Sequence, residues 1–150
     1  MLKNQLKYLL LTHCHGDHSG GLGELKKHFK NAKIIINVED ISPYIEIVSM
    51  KGHTDDCIGV LDLRTKTLIA GDGVQGFGVG KFIATVQCVE DYYKTLSAVL
   101  TDERIHNILF SHDYAPWMQD FAFGRERIKY CIEQSLKHCK KEIENESDCN

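Results

Sequence analysis

The sequence predicts an α+β protein. Short apolar strands alternate with amphipathic helices, candidate metal ligands fall where strands run out, and no repeat or linker divides the chain. Its 150 residues are the usual size of one domain and enough to enclose a core. Hydrophobic residues make up 43% and charged residues 26%, a globular rather than a disordered balance.

Residues 6–11 (LKYLLL) read as a buried strand running straight into Thr12 and His13. From Ser19 to Lys30, the residues Leu22, Leu25 and Phe29 recur at helical spacing and predict a helix. Residues 33–38 (KIIINV) form a second strand, and residues 44–49 and 57–63 two more, separated by the turn-rich KGHTDD. A turn at Arg64-Thr65-Lys66 leads into strand 67–70, which ends at Gly71-Asp72-Gly73. The stretch 73–87 has too many glycines for a regular element and reads as a loop bordering a site beside Asp72, with Phe77 and Phe82 as apolar contacts.

Val89, Tyr92, Tyr93, Leu96, Val99 and Leu100 mark an amphipathic helix. Residues 107–110 are the last strand, ending at Ser111-His112. A final helix from Gln119 to Glu142 carries Ile128, Ile132, Leu136 and Ile143 on one side. The acidic tail, 142–150, is expected to fray. The whole of 1–150 reads as a single domain.

Charge and composition remove several function classes. A net charge of −3 with scattered Lys and Arg gives no expectation of nucleic-acid binding. No apolar run is long enough for a bilayer, and the start of the chain lacks a secretion signal, so no membrane partner is expected and the cytoplasm is the expected compartment. Six cysteines (14, 57, 88, 131, 139 and 149) form no CxxC pair and are expected to be reduced. Cys131 and Cys139 share a helix face, and Cys14 and Cys57 are expected to point into the core.

The chemistry concentrates in His13-Cys14-His15-Gly16-Asp17-His18, four potential ligands within six residues. Alternate side chains of extended backbone point the same way, so His13 and His15 can grip one ion together. Gly16 allows a sharp turn that re-aims Asp17 and His18 toward a neighbouring position. Imidazole and carboxylate suit zinc, and iron or manganese fit the same set. His53 lies in a turn, and Asp72 and His112 sit at strand ends, which converge on one edge of a sheet. His28, His106 and His138 read as surface residues.

The segment HCHGDHSGG, beginning at His13, resembles the HxHxDH signature of the metallo-β-lactamase superfamily. Gly52-His53-Thr54 resembles its GHT turn, Ala70-Gly71-Asp72-Gly73 its strand-ending GD, and Ser111-His112 its final ligand histidine. The resemblance runs from about Tyr8 to the last helix. It implies a truncated αββα sandwich and two zinc ions per chain. His13, His15 and His53 would hold the first ion, and Asp17, His18 and His112 the second, with Asp72 bridging.

It also implies hydrolysis of a small-molecule substrate, in which a hydroxide on the binuclear site attacks an ester, thioester or similar bond. Asp17 would be both ligand and orienting partner of that hydroxide. Aspartate at position 72, where the lactamase branch has cysteine, points to the thioesterase, lactonase and phosphodiesterase branches. His15 argues against flavin-coupled di-iron relatives, which carry glutamate there. A phosphodiesterase and a metal-binding but catalytically inactive protein are the alternatives.

The chain departs from the family at its start. Members usually have several strands before the first motif, whereas here it begins at residue 13, an N-terminally shortened domain. A sheet without partner strands exposes an apolar face and an open edge, so a homodimer or poor solubility is expected.

Overall fold

A computed structural model describes residues 6–75, 86–114 and 119–147. Two sheets organise it. Strands β1 (Tyr8–Leu10) and β2 (Lys33–Ile35) pair in parallel, joined by the short helices α1 (Gly16–Ser19) and α2 (Leu22–His28). The larger sheet has five strands in sequence order: β3 (Ile45–Ser49), β4 (Ile58–Asp62), β5 (Thr67–Ile69), β6 (Asn107–Tyr114) and β7 (Gln119–Phe123). Helix α3 (Val89–Thr101) joins β5 to β6, whose parallel pairing needs such a crossover, and α4 (Arg125–Ser147) closes the chain.

Strand alternation builds two rows of side chains across the larger sheet. Leu61, Leu68, Ile108 and Ala122 are neighbours on β4 to β7 and form one row, all buried. They share a core with Tyr92, Leu96 and Val99 of α3 and Ile128, Ile132 and Cys139 of α4. Ile47, Val60, Ile69, Leu109 and Phe121 form the opposite row. Ile47 and Val60 pack with Ile58, Ile35 and Tyr8 beneath the small sheet. Farther along the row, Ile69 is 45% exposed and Leu109 and Phe121 are 37% exposed. On the larger sheet an exposed apolar row is therefore present over β5–β7, and Leu10 of β1 is exposed as well.

Helices α3 and α4 are tied at their junction. The Arg125 guanidinium donates to the carbonyls of Leu100 (2.6 Å), Asp102 (3.2 Å) and Ile105 (3.0 Å), the first of which is a carbonyl in the last turn of α3 that a helix end leaves unpaired.

Several elements differ from the sequence-based expectation. The helix expected over 19–30 is shorter, α2 over Leu22–His28, and Gly20-Gly21 separate it from the one-turn helix α1 that precedes it. Residues 119–123, expected to begin the last helix, are strand β7, with Phe121 and Phe123 stacked and exposed and Ala122 buried. Gly124, at φ +85°, makes the turn from that strand into α4. Strand β6 runs on past His112 because an irregularity between Leu109 and Tyr114 lets pairing with β7 resume. Residues 142–147, expected to fray, continue α4. The central part of the glycine-rich loop, with Phe77 and Phe82, lies outside the described residues.

Candidate metal centre

The first ligands are set by how the chain leaves β1. Leu11 N–H donates to the Ile35 carbonyl at 3.0 Å, and Thr12 accepts from Ile58 N–H at 2.8 Å, which wedges this segment between the two sheets. His13 is buried as a result, and extended backbone carries His15 to the same side. His13 Nε2 lies 3.1 Å from His15 Nδ1. His15 then caps α1: its carbonyl accepts from the N–H groups of His18 and Ser19. One turn of helix re-aims Asp17 and His18, as the glycine at 16 led us to expect.

Glycines let the remaining ligands approach. Gly52 has φ +127°, and a Cβ there would stand 2.3 Å from Tyr92 Cα, so the turn carrying His53 lies directly on α3. Gly71, at φ +55°, meets the Thr12 side chain, and a Cβ on Gly73 would come within 2.4 Å of Met50 Cβ. Asp72, held between these glycines in a 3₁₀ turn, is buried. His112 reaches the site from β6 and is half-exposed.

All seven sequence-predicted residues come together, in three overlapping groups: His13, His15 and His53; His13, His18 and Asp72; Asp17, His18 and His112. Within each group the candidate ligand atoms lie within 4.8 Å of one another. The Asp72 carboxylate stands between two sets of imidazoles. Its Oδ2 is 3.4 Å from His53 Nε2 and 3.9 Å from His13 Nε2. Its Oδ1 is 3.4 Å from His18 Nε2 and 3.6 Å from His112 Nε2.

The donor set fits divalent metal. His18 Nε2 and Asp72 Oδ1 are buried and have no hydrogen-bond partner among the described residues, a costly state for polar atoms unless a cation satisfies them. Burial pushes His13 down to about 4, assisted by His18, so its imidazole is neutral at pH 7 as a ligand must be. A hydrogen bond from its own backbone N–H holds the Asp17 carboxyl below the ordinary range, and the His18 and His112 imidazoles add to the effect.

Three supporting residues went unread in the sequence. Thr12 Oγ1 lies 3.2 Å from His13 Nδ1, Gln75 Nε2 lies 3.3 Å from His53 Nδ1, and Asp56 Oδ2 accepts Cys14 N–H at 3.1 Å. Thr12 and Asp56 flank the motifs and were open to suspicion on that ground; nothing marked Gln75. Cys14, expected in the core, is exposed, because the segment leaves β1 and turns outward with its N–H on Asp56. Cys57, Cys131 and Cys139 are buried free thiols, as expected. His28 is exposed beside Glu24, and His106 and His138, expected at the surface, are half-buried; none joins a ligand group. No described helix is long and apolar enough to cross a membrane.

Comparison with known proteins agrees with this geometry. The family model described as the metallo-beta-lactamase superfamily matches residues 2–44. Hydroxyacylglutathione hydrolase 1 of Vibrio vulnificus is 27% identical over 126 residues, which is 73% of this chain and 49% of that protein. Hydroxyacylglutathione hydrolase of Rhodopseudomonas palustris is 29% identical over 154 residues, 89% of this chain and 58% of that one. The chain thus spans about half the length of the curated relatives it matches.

Among solved structures, a metallo-beta-lactamase from Erythrobacter litoralis superposes with a TM-score of 0.66 at 15% identity, covering 90% of this chain and 68% of that one. ETHE1 from Myxococcus xanthus gives 0.64 at 18% identity, with the same coverage of 90% and 68%. The chain thus has the fold of metallo-β-lactamase proteins, and its segment 2–44, with the first ligand cluster, is similar to the metallo-beta-lactamase superfamily model.

Proposed function

We propose that the chain is a metal-dependent hydrolase acting on a thioester or ester, with His13, His15 and His53 holding one zinc ion and Asp17, His18 and His112 a second. The Asp72 carboxylate, with one oxygen toward each set of imidazoles, is the observation that carries this reading. It gives Asp72 the position of a bridge. Two divalent ions so held supply Lewis-acid polarisation of a substrate carbonyl and lower the pKa of water toward neutrality.

The protein's own part is to position these groups and to handle the proton. Buried His13 and His53 fix one side of the centre, while Asp17 stands at its exposed side. Asp17 Oδ2 lies 3.3 Å from His112 Nε2 and 3.5 Å from His18 Nε2, and its lowered pKa keeps it ionised. An ionised carboxylate there accepts a hydrogen bond from attacking water and orients it. The hydroxyacylglutathione hydrolases among the relatives favour a thioester, and an aspartate at position 72 agrees with that branch.

The test combines metal analysis with hydrolysis assays. We expect close to two equivalents of zinc per chain and metal-dependent cleavage of a hydroxyacyl-glutathione thioester, with metal-free protein as the blank. Two equivalents of zinc without cleavage of any ester, thioester or phosphodiester would reduce the protein to a metal binder. Cleavage of the phosphodiester alone would replace the thioester reading.

A further inference from the structure

Gln75 belongs to none of the ligand groups, yet it is held as firmly as they are. It is 2% exposed, and its backbone N–H donates to the Tyr92 hydroxyl at 2.8 Å. Tyr92 is itself fully buried in α3, where desolvation holds its phenol well above its ordinary pKa and therefore un-ionised. With the main chain anchored in this way, the Gln75 amide Nε2 lies 3.3 Å behind the His53 ring, at Nδ1. On the ring's other side His53 Nε2 faces His15 Nδ1 at 3.0 Å and Asp72 Oδ2 at 3.4 Å.

A neutral imidazole carries its proton on one nitrogen and its lone pair on the other. The partner at Nδ1 therefore decides what Nε2 can do. With the Gln75 NH2 turned to the ring, Nδ1 accepts and Nε2 carries the proton, which bars it from metal. With the Gln75 oxygen turned there, Nδ1 donates and the Nε2 lone pair faces His15 and Asp72. The two ends of a primary amide have nearly the same shape. Reversal thus turns one terminal group without moving the backbone that Tyr92 anchors.

We propose that Gln75 is the positioning residue of His53, and that its amide reverses on metal uptake so that Oε1 accepts the Nδ1 proton. This rests on the reading that His13, His15 and His53 hold a metal. Gln75 then does for a histidine at this site what carboxylates and carbonyls do behind metal-bound histidines in general: it fixes tautomer and ring orientation.

Zinc affinity measured by chelator competition tests it, on the wild type, Gln75→Met and Gln75→Glu, each checked for folding by circular dichroism. Gln75→Met keeps the bulk and removes the acceptor, so the first zinc should bind roughly 10–100-fold more weakly. Gln75→Glu can only accept from Nδ1 when ionised and should retain wild-type affinity or better. Methionine binding as tightly as wild type, or glutamate as weakly as methionine, would overturn the proposal.

Long-range proton–nitrogen correlation spectra of the wild type need no variant to fold. The His53 proton should move from Nε2 in metal-free protein to Nδ1 in the zinc-loaded form; a proton found on Nδ1 in both overturns the reversal. Wild type that binds no zinc defeats the ligand reading together with this one. Zinc-loaded wild type with an unmoved proton defeats this one alone.

Discussion

The two halves of the centre are built from the same residue types and held in different ways. His13 and His53 are buried, and each has its far ring nitrogen backed by a neighbour, Thr12 or Gln75. The other half faces outward: the side chains of His18, His112 and Asp17 are 12%, 38% and 60% exposed. One-turn helix α1 and the irregular part of β6 carry this half. The difference teaches that the core fixes two of the three residues of the first half, His13 and His53, while His15 is exposed and the second half at least partly so, which leaves that side open to reactants. Asp72 is the residue common to both.

The strongest way to break that comparison is to remove one ligand from each half. His15→Ala should cost the first metal and all hydrolysis, read by elemental analysis and assay. His112→Ala should leave about one equivalent of metal, held by the first half. Loss of both ions in His112→Ala would show that the first half does not stand alone.

Asp17→Asn should lower hydrolysis by roughly 10²–10⁴-fold, the range for a positioned proton-handling group, while keeping more metal than activity. Equal loss of both would remove the orienting role. The smallest effect is a pH dependence in metal-free protein. His13 has its pKa lowered in the folded state to about 4 from 6.5, so the unfolded chain binds the proton more readily. Stability is then fully present above about pH 6.5 and declines as pH falls toward 4, with a slope of up to about 1.4 kcal/mol per pH unit. Denaturant midpoints at pH 7, 5.5 and 4.5 measure it, and loading with zinc should steepen it, because protons then compete with metal.

The sequence was most legible where one residue type admits few alternatives. The six-residue cluster, the helix at 89–101 and the strands on either side of Arg64-Thr65-Lys66 carry their own periodicity or ligand chemistry. Strand β7 was harder, because QDFAF is short and adjoins a long amphipathic helix, so the helical pattern seemed to extend back through it. Gly124 was the local sign of the break. Gln75 was illegible for a different reason. Its role depends on the position of His53, distant in sequence, and on a phenol in α3, and neither dependence leaves a pattern nearby.

The two apolar rows of the larger sheet have a consequence for the fidelity of folding. Ile108, Leu109 and Phe110 are consecutive apolar residues on β6, with Ile108 and Phe110 buried and Leu109 outward. A slip of one residue would bring Leu109 inward, but it would turn Ile108 and Phe110 out and set Asn107 and Ser111 toward the core, so burial itself opposes the slip. It would also turn His112 away from Asp72. Polar contacts at the start of the strand oppose the slip: Asn107 Nδ2 donates to the Thr65 carbonyl at 3.2 Å and to Thr67 Oγ1 at 3.4 Å, and His106 and Asn107 N–H both donate to the Lys66 carbonyl. Placement of the candidate ligand His112 is thus guarded at the opposite end of its strand, by an asparagine that lies in none of the ligand groups.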